Sequence, residues 1–293
     1  MSTRYNFQNV EGIDVFYREA GPSDAPVILL LHGFPSSSHM FRDLIPLLSR
    51  RNRVIAPDLP GFGKTLPDEQ DGFEYTFENL TKVVTGFCDE LSLDRFALYV
   101  FDYGAPIGFR MAMRQPERIT AIISQNGNAY EEGFSPEWAA WMDYWRDPSD
   151  ENREACRPSL SPETIRDWQY GTGADSRLLA PDGYELDIAY MARPGAEERQ
   201  LDLILDYRSN VALYPDFQAY FRDRQPLFLA VWGRHDPAFL PAGADAFKRD
   251  LPEAKVHLLD AGHFALETHA MEIACMVQSF LDRNQPVPAR AAD

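Results

Sequence analysis

One aspartate occupies the position in this chain where a nucleophile is expected. Asp102 lies within residues 96–108, whose pattern predicts a buried strand, a sharp turn and then a helix. A turn of this kind presents its side chain at the end of a sheet. The carboxylate is ionised at neutral pH, so it can attack carbon without a base. Such a nucleophile attacks alkyl carbon, which favours epoxides or alkyl halides over esters as substrates.

The reaction also needs a base that activates water and an acid that orients the base, and two further residues are candidates for these roles. His263 follows Asp-Ala-Gly, and Asp236 ends the segment Gly-Arg-His-Asp. Water must hydrolyse the alkyl ester formed on Asp102, and His263 is the candidate base for that water. Asp236 would hold the imidazole in the required tautomer. The alternatives are that Asp236 is a simple turn residue and that His235 is a competing base.

Strand and helix patterns alternate along most of the chain. They predict an α/β fold with a mostly parallel, eight-stranded sheet and helices on both faces. Because parallel strands end at the same edge of a sheet, the loops after the third, fifth, seventh and eighth strands should meet there. Strands are predicted in a hairpin at 5–19 and at 27–31, 53–57, 96–101, 119–124, 227–232 and 255–259, and helices at 37–48, 80–91, 104–114 and 268–282.

This alternation of strand and helix patterns stops between the sixth and seventh strands. There the sequence is rich in tryptophan, tyrosine, proline and glycine, which predicts a helical cap inserted between strands 6 and 7. Such an insertion can lie over the carboxyl ends of the strands, where open α/β sheets bind ligands. The predicted core is therefore 1–127 and 225–285, the cap is 128–224, and 286–293 is a frayed tail.

The composition narrows the class of protein. The chain has 293 residues and a formal net charge of −17, which argues against nucleic acid or an anionic membrane as a partner. The longest apolar run, Val27–Leu31, is far shorter than a membrane span, and the N-terminus lacks the apolar stretch of a secretory signal. Cys88, Cys156 and Cys275 suggest no disulfide or metal framework. We expect a cytoplasmic monomer or homodimer without a cofactor or metal.

Four motifs in this order resemble those of an α/β-hydrolase, and the resemblance covers nearly the whole chain. They are His-Gly-Phe-Pro at 32–35, Asp-Tyr-Gly at 102–104, Gly-Arg-His-Asp at 233–236 and Ala-Gly-His-Phe at 261–264. Within that family the chain is similar to the aspartate-nucleophile branch of epoxide hydrolases and haloalkane dehalogenases. The resemblance implies that the backbone N–H groups of Phe34 and Tyr103 form the oxyanion hole.

Aromatic residues help to decide between an epoxide and a haloalkane as the substrate. Dehalogenases usually have a tryptophan after the nucleophile to hold the halide, whereas this chain has Tyr103. Epoxide hydrolases have two cap tyrosines that donate to the ring oxygen, and residues 143–148 and 205–210 resemble their segments. Tyr144 and Tyr207 are therefore the candidate acids, although tyrosines in such an insertion can also simply pack. The predicted substrate pocket consists of His32, Phe34, Pro35, Tyr103, Trp141 and Trp145.

These residues predict an epoxide hydrolase acting on a small apolar organic substrate. The main alternative is a haloalkane or haloacid dehalogenase with the same triad, followed by another hydrolytic or lyase activity on this scaffold. A non-catalytic ligand-binding α/β-hydrolase is a further alternative, although such proteins tend to lose a triad member and none is missing here. A serine esterase is disfavoured because the chain contains no Gly-x-Ser-x-Gly.

Overall fold

The computed structural model describes residues 2–68 and 72–284, so the predicted tail at 286–293 lies outside the described residues. The strands are β1 (Arg4–Val10), β2 (Ile13–Ala20), β3 (Val27–Leu31), β4 (Arg53–Pro57), β5 (Phe96–Phe101), β6 (Ile119–Gln125), β7 (Phe228–Gly233) and β8 (Lys255–Leu259). The helices are α1 (Leu44–Leu48), α2 (Phe77–Glu90), α3 (Gly104–Arg114), α4 (Ala139–Arg146), α5 (Asp150–Cys156), α6 (Pro181–Met191), α7 (Ala196–Ala212), α8 (Tyr214–Arg224), α9 (Pro241–Asp250) and α10 (Leu266–Asn284).

The eight strands form one sheet in the order β1-β2-β4-β3-β5-β6-β7-β8. β2 is antiparallel to β1 and β4, and all other neighbours are parallel. β5 is buried at every position, and β3 at all but its first, as expected for strands covered by helices on both faces. The strand order reverses between β3 and β5, so the loops that follow these two strands open the crevice where such sheets bind ligands.

The sequence pattern predicted the strands closely and some of the helices less well. All eight strands are present. β6 is one residue longer than predicted, and β7 is shifted by one residue towards the C-terminus. The helix predicted over 37–48 is instead a 3-10 turn at Ser38–Phe41 followed by α1. Pro46 explains the break, because it lacks the N–H that a continuous helix would bond to the carbonyl of Arg42. α9 was not predicted.

The segment between β6 and β7 contains α4 to α8 and a π-helix at Thr164–Tyr170. It is tied to the sheet domain through buried polar contacts of α7. The guanidinium of Arg110 on α3 donates to Ser209 and Asn210, and the backbone N–H of Phe77 donates to Asp206 at 2.7 Å. These contacts fix α7 above α2 and α3. Within the described ranges, no helix is long and apolar enough to cross a membrane.

Candidate active site

The turn after β5 presents Asp102 at the carboxyl end of the central strands. Its φ is 46°, a left-handed conformation that is uncommon for a residue with a side chain and is often found at functional sites. Two glycines leave room for this turn. A Cβ on Gly33 would overlap the Asp102 side chain, and one on Gly104 would overlap the carbonyl oxygen of Leu31. The nucleophile candidate is thus held on a constrained turn and is almost completely buried.

Backbone N–H groups surround one side of this carboxylate. Phe34 N donates to Asp102 Oδ1 at 2.7 Å, and the backbone N–H of Tyr103 also bonds to the carboxylate. Two convergent N–H groups are the arrangement that stabilises a negatively charged oxygen in acyl chemistry. If Asp102 carried an ester, its carbonyl oxygen would occupy the position now held by Oδ1.

His263 faces the other oxygen of the nucleophile. Its Nδ1 bonds to Asp236 Oδ2 at 2.7 Å, and its Nε2 lies 3.9 Å from Asp102 Oδ2. The first contact keeps the proton on Nδ1 and leaves the Nε2 lone pair directed at Asp102. The second distance is too long for a direct hydrogen bond, and it suits an imidazole that acts on a molecule placed beside the carboxylate.

Asn126 is a part of this arrangement that the sequence did not reveal. It follows β6 with a φ of 48°, and its Nδ2 donates to Asp236 Oδ2 at 2.6 Å. Its Oδ1 accepts from the backbone N–H of Gly233 at 3.1 Å. The available signal was an asparagine at the end of a strand, a residue that tolerates left-handed turns, but that signal alone indicates only a turn.

Burial and nearby charges set the protonation states of Asp102 and His263. Burial raises the pKa of Asp102 to about 6, although His263 and the N–H groups of Phe34 and Tyr103 act in the opposite direction. For His263, burial disfavours the imidazolium, but the carboxylates of Asp236 and Asp102 outweigh it and raise the pKa. Asp102 is therefore mainly ionised at pH 7 and available as a nucleophile.

A cavity of about 280 Å³ lies directly over Asp102 and His263. Four aromatic side chains line it together with polar ones, and most of its wall comes from the segment between β6 and β7. A larger groove of about 820 Å³ lies beside β8 and α10 and contains none of the predicted site residues. The smaller cavity is lined by Phe34, Asp102, Glu137, Trp138, Trp141, Pro158, Ser159, Thr164, Trp168, Gln169, Ala238 and His263.

The sequence matches a known family over most of its length. Residues 26–270 match the family described as alpha/beta hydrolase fold. The chain belongs to the α/β-hydrolase family. It is 43% identical over 284 residues to an uncharacterized hydrolase of Saccharomyces cerevisiae, covering 96% of this chain and 97% of the yeast protein.

This α/β-hydrolase is also similar to a dehalogenase in sequence and to an epoxide hydrolase in fold. It is 29% identical to a haloalkane dehalogenase of Mycolicibacterium paratuberculosis over 276 residues, covering 90% of this chain and 86% of that protein. The solved structure of an epoxide hydrolase superposes with a TM-score of 0.77 at 15% identity, covering 97% of this chain and 100% of the other. The structural likeness shows a shared fold.

The pocket of this α/β-hydrolase differs in part from the predicted one. Phe34 and Trp141 line the cavity, whereas His32 and Pro35 do not. His32 is fully buried below the site, where its Nε2 accepts from the backbone N–H of Leu59 at 2.9 Å. Pro35 lines a separate small crevice. These two residues shape the loop after β3 and do not contact the cavity.

Tyr103 and Trp145 also lie outside the cavity wall. The Tyr103 ring packs between Phe34 and Phe77, at centroid distances of 6.0 and 5.0 Å. The Trp145 indole donates to the carbonyl of Ile204 at 2.6 Å, and its ring therefore packs within the inserted helices. Aromatic type alone could not separate side chains that line the cavity from those that pack behind it.

The two candidate cap tyrosines have different surroundings. The hydroxyl of Tyr144 accepts from Arg153 at 3.0 Å, and Arg153 also pairs with Asp202 near the surface. The structure therefore does not bring Tyr144 to the cavity. Tyr207 does not line the cavity either. It is fully buried above the turn that presents Asp102, with its ring 5.9 Å from that of Tyr103, and its hydroxyl bonds to that of Tyr214.

Trp168 and Gln169 line the cavity and were not predicted as site residues. Both lie in the π-helix, a geometry that inserts an extra residue in a helical turn and is frequent at functional sites. Sequence periodicity does not distinguish this helix from an α-helix, so it could not show which of its side chains face inward.

Proposed function

We propose that this α/β-hydrolase opens small apolar epoxides to vicinal diols through a covalent ester on Asp102. The observation that carries the proposal is the placement of the Asp102 carboxylate, with Oδ1 against the N–H of Phe34 and Oδ2 facing His263. A carboxylate held in this way has one oxygen available for attack and one already in a site for an oxyanion.

In the first step, Oδ2 of Asp102 attacks a ring carbon and the carbon–oxygen bond of the epoxide breaks. The ring oxygen takes a proton as this bond breaks and becomes a hydroxyl, and Tyr207 is the proposed donor. Burial raises the pKa of Tyr207 well above its ordinary value, so its hydroxyl keeps its proton until a strong base forms beside it. The Tyr207 ring lies 5.9 Å from that of Tyr103, the residue that follows Asp102.

In the second step, water attacks the ester carbonyl of Asp102 and gives a proton to Nε2 of His263. The N–H groups of Phe34 and Tyr103 stabilise the negative charge on Oδ1. As the intermediate collapses, the second proton of the water passes to the leaving oxygen, the diol departs and the Asp102 carboxylate is restored. The proton taken by His263 replaces the one that Tyr207 gave, so that one epoxide and one water yield one diol.

Removal of halide from a haloalkane is the second candidate function. Trp168 lines the cavity, and its indole N–H has no hydrogen-bond partner among the described residues. An indole N–H is suited to hold a leaving halide. The relationship to the haloalkane dehalogenase of Mycolicibacterium paratuberculosis also supports this candidate. The ester on Asp102 and its hydrolysis would be the same in both reactions.

Turnover in heavy-oxygen water, followed by mass analysis of peptides, tests the mechanism. The label should enter the peptide that contains Asp102, and His263→Gln should accumulate an adduct of the mass of the epoxide. His257→Gln, which changes an exposed histidine on β8, is the matched control and should not accumulate it. Diol formed without label in that peptide would contradict the covalent mechanism. Halide release without diol formation from epoxides would favour the second function.

A further inference from the structure

Gln169 is a polar side chain of the cavity wall that the proposed mechanism does not use. It lines the cavity together with Asp102 and His263 and is 6% exposed. Its Oε1 is buried and has no hydrogen-bond partner among the described residues. Buried amide oxygens are nearly always hydrogen-bonded, so an unpaired one on a residue that lines a cavity points to a ligand that pairs with it.

The neighbours of Gln169 hold it in place. Tyr170, the next residue of the π-helix, stacks on Phe264 at 3.9 Å and donates its hydroxyl to Asp187 at 2.6 Å. Phe264 follows His263 directly in the chain, so the π-helix is packed against the catalytic loop. The backbone that carries Gln169 is thus held close to His263 by its neighbour in the π-helix.

Other N–H groups of the wall are already occupied. The indole of Trp138 donates to the carbonyl of Ala238 at 2.8 Å, and that of Trp141 donates to Ser159 at 3.3 Å. The amide of Gln169 can both donate and accept, which is what a ring oxygen requires as it changes from an acceptor into a hydroxyl. Trp168 can donate but cannot accept.

We infer that Gln169 binds the oxygen of the epoxide and the hydroxyl that ring opening makes from it. This inference rests on the proposed function. The Nε2 group donates to the ring oxygen in the substrate, and Oε1 accepts from the new hydroxyl in the ester intermediate and in the diol. Gln169 therefore selects substrates with an oxygen on the carbon next to the one attacked, and it distinguishes epoxides from simple alkyl halides.

Gln169→Met tests the inference because it keeps the length of the side chain and removes both polar atoms. Ester formation with a phenyl-substituted epoxide is measured in a single turnover in the His263→Gln background, where the ester accumulates. We expect ester formation to slow by about 10- to 100-fold and the inhibition constant of the matching diol to rise about 10-fold.

Gln200→Met is the matched control. Gln200 on α7 is also buried and also has an unpaired Oε1, but it lies outside the cavity. The same substitution there should leave both quantities unchanged, which separates loss of a ligand contact from loss of a buried amide.

The outcomes separate this inference from the proposed function. Unchanged ester formation and diol binding in Gln169→Met would overturn the inference, while the ester itself would uphold the function. Normal ester formation with slower ester hydrolysis, measured with His263 intact, would overturn it too, because Gln169 would then act on the water. Failure of the His263→Gln parent to form any ester with epoxides would reject the proposed function and, with it, the inference.

Discussion

Asp236 uses both of its carboxylate oxygens to hold the site. Oδ1 accepts from the backbone N–H groups of Ala238 and Phe239 at 2.7 and 3.0 Å, and Oδ2 accepts from Asn126 and His263. Because these donors fix its position, the carboxylate can hold the imidazole in a single orientation. The orientation of His263, the proposed base, is thus set by a network and not by one pair of residues.

Asn126→Gly tests the role of that network at a single residue. Glycine adopts the φ of 48° without strain, so the change removes the amide and keeps the turn. We expect ester hydrolysis to slow by about 10-fold, because a less fixed Asp236 holds His263 less well, while ester formation stays unchanged. Rapid-quench mass spectrometry of the Asp102 peptide measures both steps.

Ser92→Gly is the control for that variant, since Ser92 also has a positive φ, of 52°, but follows α2 away from the site. It should leave both steps unchanged. Equal slowing of ester formation and ester hydrolysis in Asn126→Gly would show that the whole site had moved, and would contradict a role through Asp236.

The sequence predicted those residues of the site that lie in a recognisable local motif. Asp102, Asp236 and His263 each follow an apolar strand and lie in a short distinctive segment, so their meeting at one edge could be predicted. Asn126 and Gln169 carry no such signal. Asparagine after a strand is an ordinary turn residue, and glutamine in a helix is ordinarily exposed, so only the packing around them shows what they contact.

At the scale of elements, α7 is the helix whose position matters most for the proposed proton donor. It carries Tyr207, and it is held by the contact of Asp206 with the N-terminus of α2 and by Arg110 on α3. Arg110 is 1% exposed, so its hydrogen bonds are made away from water. The helix is therefore attached to the sheet domain by buried polar contacts on either side of Tyr207.

Arg110→Met should weaken this attachment. It keeps much of the volume of the side chain but leaves Asn210 and Ser209 without their donor, so we expect the free energy of unfolding to fall by about 1–3 kcal/mol. Urea denaturation measures the change. Arg114→Met, on the same helix, removes only a half-exposed ion pair with Glu78 and should cost less than about 1 kcal/mol. A loss in the control as large as that in Arg110→Met would contradict the expectation.

The sheet could be predicted because its buried strands appear in the sequence as short continuous apolar runs bounded by turn residues. The helices of the insertion could not be predicted in the same detail. They are short, they include 3-10 and π-helical turns, and tertiary contacts decide their boundaries more than local preference does. For the same reason the domain boundaries at 128 and 224 stay a prediction.

At the scale of the whole molecule, a buried polar cluster joins the inserted helices to the sheet domain. Asp187 on α6 is fully buried and accepts from Tyr170, and Ser36 and Glu267 of the sheet domain lie beside it with Arg42. Burial raises the pKa of Asp187 to about 7, even though the hydroxyls of Tyr170 and Ser36 favour its charged form.

This cluster makes stability depend on pH. The pKa of Asp187 in the folded chain lies above its ordinary 3.8, so protonation of this carboxyl favours the folded state. This contribution to the free energy of unfolding is fully present below pH 3.8 and is lost as the pH rises through about 7. Asp187→Asn should therefore raise the unfolding midpoint at pH 8, by roughly 5 °C, and the gain should shrink towards pH 4.

Thermal scans between pH 4 and pH 8 measure this difference. Asp245→Asn is the control, because Asp245 is exposed and pairs with Lys248 in the next turn of α9. It should change the midpoint little at any pH. A gain in Asp187→Asn that is the same at all pH values would show that the effect comes from packing and not from the charge.

The position of the cavity between two parts of the chain has a consequence for how such a protein can diverge. Apart from the proposed proton donor Tyr207, the groups proposed to make and break the ester lie on loops of the sheet, whereas Trp141, Trp168 and Gln169 come from the segment inserted between β6 and β7. Substitutions in the insertion can therefore alter which molecule is accepted while the reaction itself is inherited unchanged. Descendants of one ancestral chain could acquire new substrates in this way without passing through an inactive intermediate.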